Sequence, residues 1–567
     1  MMKRIYICLL MLMVLSSAAF AQKKGSPEYN AQLRATIIAM DSVLRNETLR
    51  KNIPPDVIKK FANEQCENFK NDPDLMSAIA DLFLTAYGNE IFANERYSEL
   101  KQMHPTYINA YLNEANLFHS RAWKDAPAFD SNFLLKAKTQ IDSAKILFPT
   151  ETEPYMKWAR MQAPFRRHFR LSGYENLTVD NELEELQKKF PTYPCYLEMA
   201  KYYDEVLSKK KGISRDDMIS YIVYAGEFYG KSDINTLKQN EIVDYAYICY
   251  QINDEEHLNK GLEVLDYGIR KYPEYAYNYR FKMWIEGKLS QWENLVATGN
   301  IFMQKSDSLP KLNDDYMWLG IANLRMKHYE DAISYFKMQQ ELGIKDSMQQ
   351  VACYRNLLDC YNGQSDLHHA VETFEKLKSF KEKKGMDMTV FDYLKLETAY
   401  RYQTIDTTIV AEKRIEFFKK LISICEIEGK LSPADIGSFY NNRFNYTFQL
   451  IGVEFGEQDI KRPEVLQAAK DLVDVVTNLQ ASQSEAEKDV NDTYYLCAGY
   501  RAMMVHYFYT DNGQEAYKLA EHILYDMPEA IELQGLHSSY ANYYISYKSA
   551  AQQIYDTLRS KFGRKRK

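Results

Sequence analysis

Apolar residues recur every three to four positions along most of this chain, and four short segments punctuate the pattern. Met103-His104-Pro105-Thr106, Leu147-Phe148-Pro149-Thr150, Lys189-Phe190-Pro191-Thr192 and Lys271-Tyr272-Pro273-Glu274 each close a run with helical periodicity. Proline ends a helix because it lacks an amide donor and crowds the preceding turn. After three of these stops comes an aromatic residue with a small residue one turn later: Tyr111 with Ala115, Tyr155 with Ala159, and Tyr196 with Ala200. Small residues let two helices approach, and aromatics from the facing helix fill the space beside them. The pattern predicts an all-α chain of short helices packed in pairs.

Working back from each proline exposes a longer unit. Residues 74–107 carry Ala80, Leu84, Ala93, Tyr97 and Pro105. Residues 242–275 carry Tyr245, Ile248, Gly261, Leu265, Gly268 and Pro273. The unit 313–346 shows Tyr316, Leu319, Gly320, Tyr329, Ala332 and Phe336. The next, from Val351, shows Tyr354, Leu357, Tyr361, Ala370, Phe374 and Leu377. A late unit from Cys497 has Tyr500, Tyr507, Ala516, Ala520, Ile523 and Pro528. This spacing resembles the tetratricopeptide repeat, a helix-turn-helix unit of about 34 residues. The resemblance implies a right-handed superhelical array of antiparallel helix pairs, an α-solenoid with helical caps, in which stacked pairs share one continuous core.

The domain organisation expected from this is uneven. Residues 22–73 read as N-terminal capping helices and 74–386 as the repeat array. Residues 387–496 remain helical with degenerate phasing, and 497–567 hold one more unit, a capping helix from about Glu529 to Phe562 and a basic tail. Within the array, Ser120 to Phe133 is an insertion and 163–178 an irregular excursion. Ser432-Pro433 and Arg462-Pro463 read as helix starts, with Ser432 a candidate cap.

Composition narrows the class. The 567 residues include 45 Tyr and 27 Phe against 22 Gly and 16 Pro, which favours long packed helices. The balance of 71 basic to 78 acidic residues lacks the basic excess of a nucleic-acid binder. Lys3 and Arg4, the apolar run Ile5 to Leu15, and Ala19-Phe20-Ala21 form an export signal with cleavage expected after Ala21. Cys8 lies inside the apolar run, so acylation as a lipoprotein is not expected. No later segment is apolar enough to span a bilayer, so the mature chain is expected in the periplasm or envelope of a Gram-negative bacterium without stable membrane insertion. Seven cysteines remain after cleavage. Cys353 and Cys360 lie about 10 Å apart along a helix, too far for a bridge. Buried thiols are expected throughout.

Motifs for chemistry are sparse. The sequence has no glycine-rich phosphate loop, no His-Glu-x-x-His and no nucleophile elbow. Ser208-Lys209-Lys210-Lys211 reads as a solvated loop, His368-His369 as a capped helix start, and Glu182-Glu184-Glu185 as an exposed helix face. No cofactor or metal is expected, and no enzyme, with 387–496 the one region where a catalytic site could be housed. Asp-Ser/Thr steps recur, and they resemble an O-glycosylation signal of exported proteins. The acceptors would be Ser42, Ser143, Ser308, Ser347, Thr407 and Thr557. The alternative is that Asp-Ser/Thr favours turns and helix starts.

The repeat resemblance also implies a concave groove lined by set positions of each first helix. These are Asn116 and His119; Tyr250, Asn253 and Asp254; Met317, Leu324 and Arg325; Arg355, Asp359 and Asn362; and Arg501, Phe508 and Tyr509. Leu112 occupies the place of the first lysine in the chaperone-type carboxylate clamp, so that function is not assigned. The expected activity is non-catalytic binding of a protein or peptide partner. The alternative is a glycan- or nutrient-binding component of an outer-membrane uptake system. The sequence specifies neither the partner nor the oligomeric state.

Overall fold

Antiparallel helices follow one another through the computed structural model, which describes residues 55–563 except 69, 88–89, 127, 167–176, 308, 485–487 and 534, with isolated positions at 26–28, 31 and 35. No strand occurs among the described residues. The chain divides into two compact units, Met1–His257 and Leu258–Lys567. The first unit holds α1 (Pro55–Asn68), α2 (Pro73–Tyr87), α3 (Glu90–Met103), α4 (Ile108–Ala122), α5 (Ser131–Leu147), α6 (Glu153–Gln162), α7 (Val179–Lys189), α8 (Cys195–Lys201), α9 (Arg215–Lys231) and α10 (Gln239–Ile252). Helix α11 (Glu255–Lys271) begins at the division. The second unit continues with α12 (Ala276–Lys288), α13 (Trp292–Lys305), α14 (Asn313–Arg325), α15 (Tyr329–Leu342), α16 (Ser347–Gly363) and α17 (Leu367–Lys383). Then come α18 (Val390–Ile405), α19 (Ala411–Leu431), α20 (Ile436–Phe455), α21 (Pro463–Ser482), α22 (Val490–Tyr509), α23 (Gly513–Glu521) and α24 (Ser538–Phe562).

The turns inside four pairs are built alike. Ser290, Lys327, Ser365 and Asp511 all take the left-handed conformation, with φ of 58°, 63°, 57° and 58°. The amide that follows each reaches back five residues: Gln291 to the Glu286 carbonyl, His328 to Asn323, Asp366 to Tyr361 and Asn512 to Tyr507. Such bonds satisfy carbonyls that a helix end leaves open and reverse the chain within three residues.

Small residues set how closely neighbouring helices approach, both within a pair and between pairs. A Cβ on Gly320 would stand 2.6 Å from the Phe336 ring, and one on Gly299 would stand 2.5 Å from Leu319. Gly287 lies under Trp318, and Gly363 under Tyr329, in the same manner. Phe336 is fully buried against Gly320, and burial of such a side chain contributes about 1.5–3 kcal/mol.

A second device ties three of the first helices to the one before. Acidic residues in the third position of a first helix are buried, and their carboxylates accept both a cap amide and a distant cation. Glu241 of α10 accepts from the Lys238 amide at 2.7 Å and from Lys201 of α8 at 2.6 Å. Asp315 of α14 accepts from the Leu312 amide at 2.8 Å, from Trp284 at 3.1 Å and from Arg280 of α12 at 3.0 Å. Asp392 of α18 accepts from the Thr389 amide at 2.9 Å, from Lys381 at 2.6 Å and from Arg355 of α16 at 2.8 Å. Asp492 of α22 departs from the series. The residue α20 brings against it is Gly437, and one carboxylate oxygen of Asp492 is buried without a partner. Burial first, then the charges of Asp489 and Asp435, push its carboxyl up to about 6.

Several expectations are corrected by tertiary packing. Glu182 is buried on Lys145 at 2.5 Å, while Glu184 and Glu185 lie exposed as expected of a solvated face. Ser432 accepts no cap bond; its hydroxyl donates to Asp435 at 2.7 Å, beside a short 3-10 turn that precedes α20. The last helix starts at Ser538, because Ala530–Glu532 forms a separate turn and Gly535 has φ 92°. All seven cysteines from Cys66 onward are buried and unbridged. Burial pushes the Cys353, Cys360 and Cys497 thiols up to about 12. The export signal, with Cys8, and the basic tail 564–567 lie outside the described residues. Among the described residues no helix is long and apolar enough to cross a membrane.

Two outcomes follow for stability. Gly320→Ala gains helix propensity of about 1 kcal/mol, but forcing a methyl into the Phe336 ring costs about 1–3 kcal/mol. The urea midpoint should fall, and Phe336→Leu on that background should recover part of the loss; an unchanged midpoint would contradict the close packing. Asp392→Ala strands Lys381, 3% exposed, without its anion and should cost about 3–5 kcal/mol. Burial works to raise the Asp392 carboxyl, but bonds from Arg355, Lys381 and Thr389 outweigh it and hold the group down to about 2. An unfolded aspartate titrates near 3.9. The contribution is therefore complete above about pH 4 and lost as pH falls through about 2, and denaturant titrations between pH 5 and 2 should show that slope shrink in Asp392→Ala.

Candidate functional site

The first helices α14, α16 and α18 lie side by side in the second unit, and a groove of about 600 Å3 runs across them. Their helical period selects its walls. On α18, Phe391, Leu394, Lys395, Thr398 and Tyr402 fall on one stripe and line the groove, while Asp392, Leu396 and Ala399 form the buried stripe behind. Helix α16 contributes Asn356, Asp359 and Asn362, and α14 contributes Ile321, Leu324 and Arg325. Tyr329 closes one end over Gly363, next to Lys327.

The floor is held rigid by polar bonds. Lys395 donates to both carboxylate oxygens of Asp359 at 2.6 and 2.7 Å. The Asn362 amide donates to the Lys395 carbonyl at 2.9 Å, and its buried carbonyl oxygen has no partner. Gln403 donates to the Ser365 carbonyl at 2.7 Å. Phe391, 52% exposed, stands between two cations. The Lys395 ammonium is 4.4 Å, and the Arg355 guanidinium 5.0 Å, from its ring centre. Arg355 is itself fixed by Asp392 and by the Thr389 hydroxyl at 3.2 Å. The result is an exposed apolar ridge with immobilised polar groups beside it, a surface that binds by shape and by a few anchors.

Arg325, Asp359, Asn362 and Leu324 line this groove, and Arg355 braces it from beneath; Met317 is half-buried on α14 outside it. Asn362 serves the backbone of α18 instead of standing free. The remaining sequence candidates do not line this groove. Asn116 is exposed on α4, in the first unit. His119 is corrected to a core residue: it is buried among Trp123, Trp158 and Phe165 and bonded to Gln162 at 3.2 Å. Burial lowers its imidazole to about 4, against the opposing Gln162 bond. Tyr250 is half-buried beside Tyr247. Asn253 and Asp254 form the α10–α11 turn, Asn253 at φ 62° and Asp254 accepting from the His257 amide at 2.8 Å, so both carry out turn formation and capping. Arg501 lies half-buried 5.5 Å from the Tyr547 ring centre, and Tyr509 is exposed at the end of α22 beside Phe508.

The α18 wall is the part that sequence reasoning missed. Helix α18 belongs to 387–496, where helices α19 to α21 run to 21, 20 and 20 residues and blur a repeat of shorter pairs. The usable signal was the stripe itself, Phe391-Leu394-Lys395-Thr398-Tyr402. Among the Asp-Ser/Thr steps, Ser143 and Thr557 lie mid-helix with hydroxyls donating to the Thr139 and Gln553 carbonyls. Asp346 caps α16 ahead of Ser347, and Asp406 closes a turn with Thr407 exposed. Ser42 and Ser308 lie outside the described residues. His369 leans on Asp366, the cap of α17, at 2.6 Å.

No protein-family model matches the chain, and no curated protein matches it. Among solved structures it is similar to the C-terminal part of a TPR repeat-containing protein from Cytophaga hutchinsonii. That match is 13% identical, covers 53% of this chain and 98% of that one, and has a TM-score of 0.37. It is also similar to yeast Tom70 (12% identity, 86% and 99% covered, TM-score 0.27) and to the P58(IPK) TPR domain (11% identity, 73% and 100% covered, TM-score 0.22). Glycines seated under aromatics where helices meet, a left-handed turn repeated inside four pairs, and acids linking successive first helices make this chain an all-α array of antiparallel helix pairs.

Proposed function

We propose that this chain is a non-catalytic scaffold of the bacterial periplasm or cell envelope that docks a protein or peptide partner in the α14–α16–α18 groove. The observation that carries the reading is Phe391: a large apolar side chain held in the open between two cations, beside a floor braced by the Lys395–Asp359 pair and the Asn362 amide. Exposed apolar residues rimmed by polar ones favour macromolecular docking. The groove walls contain no histidine, cysteine or serine, and the one lysine on α18 is committed to Asp359. Such a set suits recognition better than acid–base or nucleophilic work.

A photo-crosslinking residue at Tyr402, compared with one at Lys376 on α17, tests the reading in envelope preparations. A discrete protein adduct is expected from position 402 and none from 376. Phe391→Ala should weaken that adduct about tenfold, the usual effect of losing an interface anchor worth 1–2 kcal/mol, with helical circular dichroism unchanged. Equal labelling from both positions overturns the groove. Capture of a soluble oligosaccharide that depends on Phe391 transfers it to glycan binding.

A further inference from the structure

Behind its groove stripe, α18 packs on α19, and α20 packs on α19 in turn. Glu397 of α18 is buried and accepts the Tyr446 hydroxyl of α20 at 2.6 Å. Glu428 of α19 is 0% exposed, and neither of its oxygens has a hydrogen-bond partner among the described residues. Two carboxyl groups thus lie in one apolar layer, and the nearby cations are committed elsewhere. Arg443 of α20 bonds Glu426 at 2.9 Å and Asp471 of α21 at 2.8 Å. On α18, Lys395 is paired with Asp359, Asp392 with Arg355 and Lys381, and Arg401 is exposed. Asp435, in the turn before α20, takes the Ser432 hydroxyl. The remaining ionisable neighbour is Cys425, one turn before Glu428, whose thiol burial keeps protonated.

An unpaired buried carboxylate is costly, and a second one beside it more so. The layer is stable while it holds a proton. We infer that the Glu397–Glu428 pair is a proton-operated latch on the groove: while Glu428 is protonated, it lets α18 seat on α19; once Glu428 loses its proton beside Glu397, it loosens that seat and disperses the groove wall that α18 carries. The inference rests on the groove being the binding site. Burial first, and then the charge of Glu397, push the Glu428 carboxyl up to about 8. An unfolded glutamate titrates near 4.3, so between about pH 4 and 8 the folded chain holds one proton more. Its folding equilibrium therefore weakens about tenfold per pH unit as pH rises through that window, and the loss levels off above 8.

Cys425 is a built-in reporter. Full-length protein is pulsed with iodoacetamide at pH 7, 8 and 9, and labelling is read by peptide mass spectrometry as the ratio of Cys425 to the equally buried Cys497, which cancels the reagent's own pH response. The ratio should rise several-fold by pH 9 in the wild type. It should stay flat in Glu428→Gln, and in Glu397→Gln its rise should be smaller and level off at lower pH, because removing the neighbouring charge lowers the cost of ionising Glu428 in part while burial remains. A flat wild-type ratio overturns the latch even if both variants fail to fold. A second arm uses a peptide selected from a random library on the wild type at pH 7 and lost on Phe391→Ala. Its affinity should fall at least tenfold at pH 9 and be level in Glu428→Gln. A Phe391-dependent peptide with pH-independent affinity overturns the latch and leaves the groove standing. Failure to obtain any such peptide counts against the groove, while the thiol ratio still decides whether the pair operates as a proton switch.

Discussion

Gly320 has no side chain, and the Phe336 ring fills the space where one would be. The packing of the second unit depends on contacts of this kind. A single helix pair exposes too much apolar surface to be stable alone, so it must stack on its neighbours. Stacking works only if each pair is thin, and thinness requires glycine or alanine where the two axes come closest. Gly363 under Tyr329 does the same between neighbouring pairs, and Gly287 under Trp318 between successive first helices. Turns of one shape close four of the pairs, and the first helices α14, α16 and α18 present a common face.

That arrangement gives the buried acids their role. A carboxylate in the first turn of a helix meets unsatisfied amides and the positive end of the helix dipole. In Glu241, Asp315 and Asp392 the same carboxylate also reaches a cation of an earlier first helix. Each acid therefore fixes where a helix begins and where its predecessor lies. Asp492 shows the consequence of omitting the cation: with Gly437 opposite, its carboxyl is left buried and shifted upward. The Glu397–Glu428 pair is a second place where carboxyl groups are buried without a cation, and both fall beyond Gly385, where the repeat phasing fades.

The groove and the buried carboxyl pair share one helix. One stripe of α18 presents Phe391, Leu394 and Tyr402 outward, and another carries Asp392 and Glu397 inward. What packs behind that helix controls how firmly its outer stripe is held. Binding surface and core are thus not separable here, because each helix of a repeat array is only one layer thick.

Much of this was legible from residue order. Proline at 105, 149, 191 and 273 marks helix ends because no L-residue chain can continue an unbroken helix through a missing donor. The small-and-aromatic spacing identifies helix pairs because close approach needs a missing side chain. Arg325, Asp359 and Asn362 were reachable because their helices keep regular phase. Tertiary structure decided the rest. Periodicity states which residues share a face, but not which face a neighbour will cover, and α18 has apolar residues on both. His119 reads as a polar groove position until Trp123, Trp158 and Phe165 close around it. Glu182 reads as solvated until Lys145, 37 residues before it, is brought to 2.5 Å. The sequence by itself determined that the chain would form paired helices and where many of them stop, since those are local steric and hydrogen-bonding matters. Only the packed structure decided which charges are buried and which aromatics stay in the open, since burial depends on neighbours that are distant along the chain.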